Sequence, residues 1–439
     1  MSRRMGIIVA LLVAALAAPV TAGEVVIVTS FPKELFETYK KAFEAKQPDT
    51  KVVIKQQQTN AGVTYLRETR AKPDADLFWV SSPDAFATLK TDGLLDRYTL
   101  PKDIATRIPA KIGAFPIHDP DGTFFGFAIS GYGLMWNTPY MKAHRLPAPK
   151  EWTDLARPEY HGHLVISAPS RSGTTHLTVE VILQAYGWEK GWDLLLASGG
   201  NMGTITERSF GVPEAVISGQ YGIGVVIDFF GLSAIASGYP IEFAYPSLTS
   251  VVPASVGIVK GAPNRKNAEA FVNYLLGDEG QRLLFSKEIG RLPVVPDLYA
   301  KAPKDYPNPF TMKLGGVDFD NKLSSARRNV VNALYDQLIT FRHAELKAAW
   351  KAIYTAEAAL AKAKEAGKDV AKAASLLGEA RGLASRVPMD AKAAADKAVN
   401  IAFREKAELK SKLETEWDTF AKTNYGKARA IAEQAAAML

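Results

Sequence analysis

A chain of 439 residues with a formal charge of +7 is long enough to bury a large core in two or three domains. It has no cysteine, which excludes disulfides and thiolate metal sites. The basic excess is mild and scattered, so it suits anionic solutes and argues against a nucleic-acid partner.

The first 22 residues have the charge, greasy core and cleavage pattern of a secretory signal: Arg3 and Arg4, an apolar run from Gly6 to Val20, and a small-residue site ending at Ala22. That run is shorter than the roughly 20 residues a spanning helix needs. The mature chain is therefore expected from about Gly23, acting outside the cytoplasm.

From about 24 to 320, short β-branched and aromatic runs alternate with helical ones, the signature of α/β architecture. Val25 to Val28 read as a buried strand. Thr29, Ser30 and Phe31 turn the chain, Pro32 suits a first helical position, and Leu35, Phe36, Tyr39 and Phe43 recur at helical spacing. A second strand, "TKVVIKQQ", and a helix precede "LFWVSSPDAF", where another apolar strand ends in hydroxyls, Ser81 and Ser82, and Pro83 opens a helix. Open α/β sheets bind ligands at the carboxyl ends of their strands. Paired hydroxyls at two such ends mark one face of a candidate site.

Further along, "GTFFGFAISGYGLMWN" and "SVVPASVGIVK" are long enough to cross between lobes. Between them lies "HLVISAPSRSGTTHLTVEVILQAYGW", a strand, a turn and a helix whose buried stripe includes Leu177 and Val181, with Gly187 as its C-cap. The turn "SAPSRSGTTH", 167–176, faces the free N–H groups and partial positive charge of a helix N-terminus. Gly173 allows close backbone approach, Ser170, Ser172, Thr174 and Thr175 carry hydroxyls, and Arg171 offers a planar fork suited to a phosphoryl group. The alternative is that Ser170 or Ser172 only caps the helix and the other hydroxyls are solvated. The turn lacks the GK[ST] ending of a nucleotide loop. After it, "TITERSFGVPEAV" ends a strand near Glu207 and opens a helix, and "YGIGVVIDFFG" ends one at Asp228.

The motifs "TSFPKEL", "FWVSSPDAF", "PSRSGTTHLTVE" and "TERSFGVPEAVISGQYGIGVVIDFFG" resemble the periplasmic solute-binding proteins of ABC importers. The likeness covers about 24–345. It lies nearest the organophosphate branch, the phosphoglycerate, sugar-phosphate and 2-aminoethylphosphonate binders, beside the ferric-ion binders. It implies a type II-like fold of two α/β lobes that close on a solute and present it to a permease. Lobe 1 is expected over 23–127 and 255–325, lobe 2 over 128–254, and a helical extension over 326–439. By the same resemblance Ser30, Ser82, Ser172, Gly173, Thr174 and Thr175 surround the oxyanion, while Thr206, Glu207 and Asp228 approach the rest of the ligand. A carboxylate facing the cleft, as Asp228 would, selects against sulfate, which has no proton to donate. Its alternative is an Asp that ends a strand or caps a turn.

The ferric branch uses adjacent tyrosines, but "IDFFGLS" has Phe229 and Phe230, which argues against iron. His161 and His163 lack an acidic partner and are expected to be surface residues, and His176 either touches the anion or caps the helix. Among the strand-end aromatics Trp79, Tyr132, Trp136 and Tyr245 are expected in the core, with Phe31 and Phe229 beside the ligand. No cofactor is implied.

Beyond about 325 the sequence is Ala, Lys, Glu and Leu with few breaks. Val331, Leu334, Leu338 and Phe341 share a helical face that packs partly on a lobe, Trp350, Ile353 and Leu360 continue it, and Gly367 and Pro388 mark turns. The alanine-rich face is poor in apolar area, so a mobile appendage and a docking element for the permease or a sensor kinase are both expected readings. Delivery to an importer and periplasmic sensing of phosphorylated solutes are thus the two functions in play. Catalysis lacks a GxSxG motif or metal cluster to carry it.

Overall fold

The computed structural model describes residues 23–439 except 114, 305, 313–316 and 318; the signal expected over 1–22 lies outside the described residues. The apolar runs form one sheet of ten strands. Along it the order is Thr50–Gln56, Gly23–Thr29, Leu77–Val80, Val251–Ile258, Phe125–Asn137, Ile223–Ile227, Leu164–Ser167 and Met202–Thr206, with Ile241–Ala244 and Leu292–Pro293 also on the long strand. The first three strands are mutually parallel, and so are the last three. Two antiparallel strands, Val251–Ile258 and Phe125–Asn137, join these units. The result is two α/β lobes sharing crossover strands.

Phe125–Asn137 is buried over its whole length, which explains its near-continuous apolar sequence. Its glycines are required by close neighbours: a Cβ on Gly133 would lie 2.3 Å from the Ala244 carbonyl oxygen. At Gly131 and Tyr132 the strand changes partner, from Val251 in one unit to Ile227 in the other. That switch is the junction, or hinge point, between the two units.

The helix Lys33–Lys46 buries Leu35, Phe36, Tyr39 and Phe43, as its spacing predicts. The helix Gly173–Tyr186 is different. It buries His176 and Glu180 as well as Leu177 and Val181, because the C-terminal helices cover the face the sequence leaves polar.

Those C-terminal helices run over Asn321–Tyr335, His343–Glu365, Ala371–Ala384, Lys397–Glu405 and Ala407–Ala436, with a short one at Ala391–Ala395. Asp390 caps Ala391–Ala395 through the Ala393 N–H, and Gly367 turns the chain at φ +73°. Val331, Leu334 and Leu338 are buried as expected. Phe341 is not: it is 56% exposed. A π-turn at Asp336–Thr340, closed by the Phe341 N–H on the Asp336 carbonyl, inserts one extra residue per turn and rotates Phe341 off the apolar face.

The alanine stripe buries little area per residue but lets backbones approach closely. Gly199 and Gly200 of the second-lobe helix Trp188–Asn201 receive Leu346, Ile339 and Trp350, and a Cβ on Gly200 would lie 2.4 Å from the Trp350 ring. Trp350, Leu346 and Ile353 are fully buried there. Trp188 donates its Nε1–H to the Met389 carbonyl at 2.8 Å. The extension is therefore part of the second lobe's core. Gly200→Ala should cost about 1–3 kcal/mol of stability by overpacking, read as a lower unfolding midpoint; an unchanged midpoint would contradict this docking.

Candidate functional site: the interlobe cleft

The strand Gly23–Thr29 and the strand Leu77–Val80 end side by side in the first lobe, and each hands over to hydroxyl-bearing residues. Thr29 Oγ1 donates to the Trp79 carbonyl at 2.6 Å and accepts the Phe31 N–H at 3.1 Å, which fixes the turn and seats Phe31 edge-on against Trp79. Thr59 donates to Ser30 Oγ at 3.1 Å. Opposite them, in the second lobe, the helix Gly173–Tyr186 begins. Ser172 is its N-cap and accepts the Thr175 N–H at 3.2 Å. Among the described residues the Gly173 and Thr174 amides have no protein acceptor, as the first N–H groups of a helix should not.

The two faces meet closely. A Cβ on Gly173 would lie 2.8 Å from Ser82 Oγ and 3.0 Å from Thr59 Oγ1. Asn60 Nδ2 donates across the cleft to the Ser170 carbonyl at 2.7 Å. The cavity left between the lobes is about 30 Å³, room for a water or two rather than an organic solute. A solute must therefore come in through a more open arrangement of the lobes.

Of the residues singled out from sequence, Ser30, Phe31, Arg171, Ser172, Gly173, Thr174 and Phe229 line this cavity. The other six do not. Ser82 is buried and donates to Asp84 Oδ1 at 2.6 Å, leaving its neighbour Ser81 to face the cleft. Thr175 is buried in the first helical turn. Ser170 lines a different cavity, between the first lobe and the extension. Thr206 turns back to the Arg208 carbonyl at 2.8 Å. Glu207, 70% exposed on its side chain, pairs with Arg171 Nη1 at 2.8 Å and receives a long 3.4 Å bond from Gln58 of the first lobe.

Asp228 departs furthest from expectation. It is fully buried behind the cleft, where its carboxylate accepts the Gly131 N–H at 2.6 Å, the Phe229 N–H at 2.8 Å and the Tyr245 hydroxyl at 2.9 Å. Gly131 is where the crossover strand changes partner, so Asp228 supplies the acceptor that the sheet ladder lacks at the hinge. Burial pushes its carboxyl up to about 6, against the pull of these donated bonds.

Arg291 is the residue the sequence reading missed. It sits in "IGRLPVV", a lone charge in an apolar run, and is 0% exposed while lining the cavity. Its guanidinium lies 3.7 Å from the Phe229 ring centroid and 4.6 Å from that of Phe31. Nη1 reaches Ser81 Oγ at 3.1 Å and Ser130 Oγ at 3.4 Å, whereas Nε and Nη2 have no partner among the described residues. Burial pulls it down to about 9, partly offset by Asp228, so it stays charged at neutral pH. Arg208 also faces the cavity, stacked 4.8 Å from the Phe210 ring, and burial lowers it too. Arg171, Arg208 and Arg291 thus converge beside the helix N-terminus. The cavity wall is basic, with the Phe31 and Phe229 rings on two sides of Arg291.

Among the described residues no cluster of His, Asp and Glu is arranged to hold a metal ion. Phe229 and Phe230, with ring centroids 4.2 Å apart, offer no oxygen ligand. His163 bonds to the Tyr140 hydroxyl at 2.8 Å, and His161 stands against Tyr354 of the extension.

A family profile for bacterial extracellular solute-binding proteins matches residues 72–322. The chain belongs to that family. Membership implies a periplasmic protein, and the relatives and structural neighbours are binding and transport proteins rather than enzymes. The phosphoglycerate transport regulatory protein of Salmonella typhimurium is 32% identical over 374 residues, spanning 84% of this chain and 87% of the relative. The periplasmic binding protein AfuA of Actinobacillus pleuropneumoniae, solved with fructose-6-phosphate, has a TM-score of 0.65 at 23% identity and covers 72% of this chain and 99% of its own. Iron-bound HitA of Pseudomonas aeruginosa follows the same fold at TM-score 0.57 and 16% identity, over 71% of this chain and 98% of its own.

Asp228→Asn removes the hinge titration. Because the folded carboxyl sits above its unfolded value, wild-type stability relative to that variant is highest below about pH 4. It falls by up to about 3 kcal/mol as pH rises to about 6, then levels off. Urea unfolding of both proteins across that window measures it; a constant difference would contradict the buried carboxyl.

Proposed function

We propose that this protein captures a phosphorylated or phosphonate organic solute in the interlobe cleft and delivers it to an ABC-type permease. The observation that carries the reading is Arg291, a fully buried guanidinium with two unpartnered nitrogens in the cavity wall. A buried guanidinium with no carboxylate bonded to it and two nitrogens unsatisfied is costly, and such a group fits a place where a ligand completes it. A doubly charged phosphoryl group fits: its oxygens match the planar fork of Arg291, the free amides of Gly173 and Thr174, and the hydroxyls of Ser30 and Ser172. Phe31 and Phe229 exclude water and strengthen those bonds. Hinge movement at Gly131 admits and then encloses the solute. The phosphoglycerate relative and the neighbour holding fructose-6-phosphate support this substrate class by what their names state.

A second reading keeps the ligand and changes the partner. The Salmonella relative is named as regulatory, and an alignment of 374 residues, wherever it is placed on this chain, runs into the helices after residue 321. The same loaded form would then report to a membrane sensor kinase. Charge reversal on the exposed face of the extension, Lys412→Glu with Lys427→Glu, separates the two without touching its buried face: intact uptake with lost signalling favours the sensor.

Calorimetry with fructose 6-phosphate, 3-phosphoglycerate, their non-phosphorylated parents and sulfate tests the ligand class. Arg291→Gln is expected to weaken the phosphorylated ligand by about 10- to 150-fold, the worth of a charge-assisted hydrogen bond. The unliganded variant should keep its unfolding midpoint, since a costly charge is gone. Wild-type affinity in Arg291→Gln would contradict the reading.

A further inference from the structure

The helix Asn321–Tyr335 lies across both lobes, behind the cleft. Toward the second lobe, Arg327 pairs bidentately with Glu180 at 2.8–2.9 Å, Asn332 bonds to His176 Nδ1 at 2.7 Å, and Ser324 lies 3.3 Å from His176 Nε2. All of these partners sit on the helix whose N-terminus faces the cleft. Toward the first lobe, Arg328 meets Asp84 and donates to Asn60 Oδ1 at 2.7 and 3.1 Å. Asp84 in turn lies 3.3 Å from His176 Nε2. One buried cluster therefore joins first lobe, second lobe and extension.

The two attachments differ in kind. Against the second lobe the extension is packed without slack, glycine backbone against Trp350. Against the first lobe it leaves two adjoining cavities, of about 300 and 340 Å³, the first of them bordered by Arg328. Ser325, Asn329 and Arg404 border both. Phe319, stacked on Phe115 at 5.1 Å, tethers the chain just before the helix begins. The extension as a whole is packed tightly on one side and held on the other by one helix, the Phe319 stack and a few buried polar groups, so separation is easier along the polar side.

We infer that Arg328 is a latch. It fastens the extension, and the second lobe with it, to Asp84 and Asn60 of the first lobe when the cleft is closed. The extension thereby sets how long the protein holds its solute, from residues that touch no ligand. Opening the cleft draws Asp84 and Asn60 away from Arg328 and lets water reach both charges. Removing one partner leaves the other charge buried and uncompensated in the closed form alone, which favours opening. By linkage, anything that grips the extension differently in the open and closed forms changes solute affinity by the same factor.

The chain has no cysteine, so Glu34→Cys on the first lobe and Lys142→Cys on the second, both exposed, take spin labels cleanly. In the unliganded protein, Arg328→Met and Asp84→Asn are each expected to move the label distances toward longer values, with the closed fraction falling several-fold. The double variant should fall by less than the two single effects combined. Stopped-flow release of fructose 6-phosphate should speed up by at least about tenfold in each single variant while association changes little. The release arm rests on the proposed ligand class; the distance arm does not, so absence of binding would sink that class and leave the latch to the labels. Distances unchanged by Arg328→Met, or an unliganded wild type already as open as the variant, overturn the latch. If Arg328→Met does not fold, Asp84→Asn and the double variant give the same readout.

Discussion

A guanidinium buried among aromatic rings with no carboxylate bonded to it is the constraint from which the rest of this structure follows. Arg291 is held by two serine hydroxyls and two phenyl faces, none of which neutralises it. Asp228 is close enough to moderate its charge, yet Asp228 spends its oxygens on the hinge. The cleft is left with positive charge on both walls: Arg291 beside the first-lobe strand ends, and Arg208 and a helix N-terminus on the second lobe, where Arg171 is paired with Glu207. Under the proposed function an anion between the walls offsets their repulsion, so solute capture adds to the Arg328 contacts in favouring lobe closure.

That event is shared with the C-terminal helices. The helix that presents its N-terminus to the cleft presents its other face to the extension, through His176, Glu180 and Gln184. A displacement of the second lobe therefore moves the extension too, and the first lobe feels it through Asp84. Neighbours such as AfuA are covered almost whole by about three quarters of this chain. The family profile stops at residue 322, where the bridging helix has just begun. The additional helices thus pack against both lobes rather than hang as a loose appendage.

Much of this was legible in the sequence, for physical reasons that can be named. The strand–turn–helix at 164–186 is written in local signals: an apolar run, a Ser N-cap, a glycine where another chain comes near. Phe31 and Phe229 at strand ends follow from the same logic. What escaped depends on contacts distant in sequence. Arg291 meets Ser81, Ser130, Phe31 and Phe229 only after the sheet is assembled, and nothing beside it in the chain marks it except an apolar run interrupted by one charge. Asp228 looks from sequence like a strand-end acid open to the cleft. The unpaired amide of Gly131, 97 residues away, takes it instead. Phe341 was displaced by a π-turn that hydrophobic spacing does not register.

A crystal structure of the protein grown with fructose 6-phosphate tests the central claim most directly. The expected result is a phosphoryl oxygen within hydrogen-bond distance of Arg291 Nη2 or Nε, with further oxygens on the Gly173 and Thr174 amides. A sugar phosphate bound elsewhere, with those Arg291 nitrogens still unpartnered and the helix N-terminus facing only protein, would contradict it.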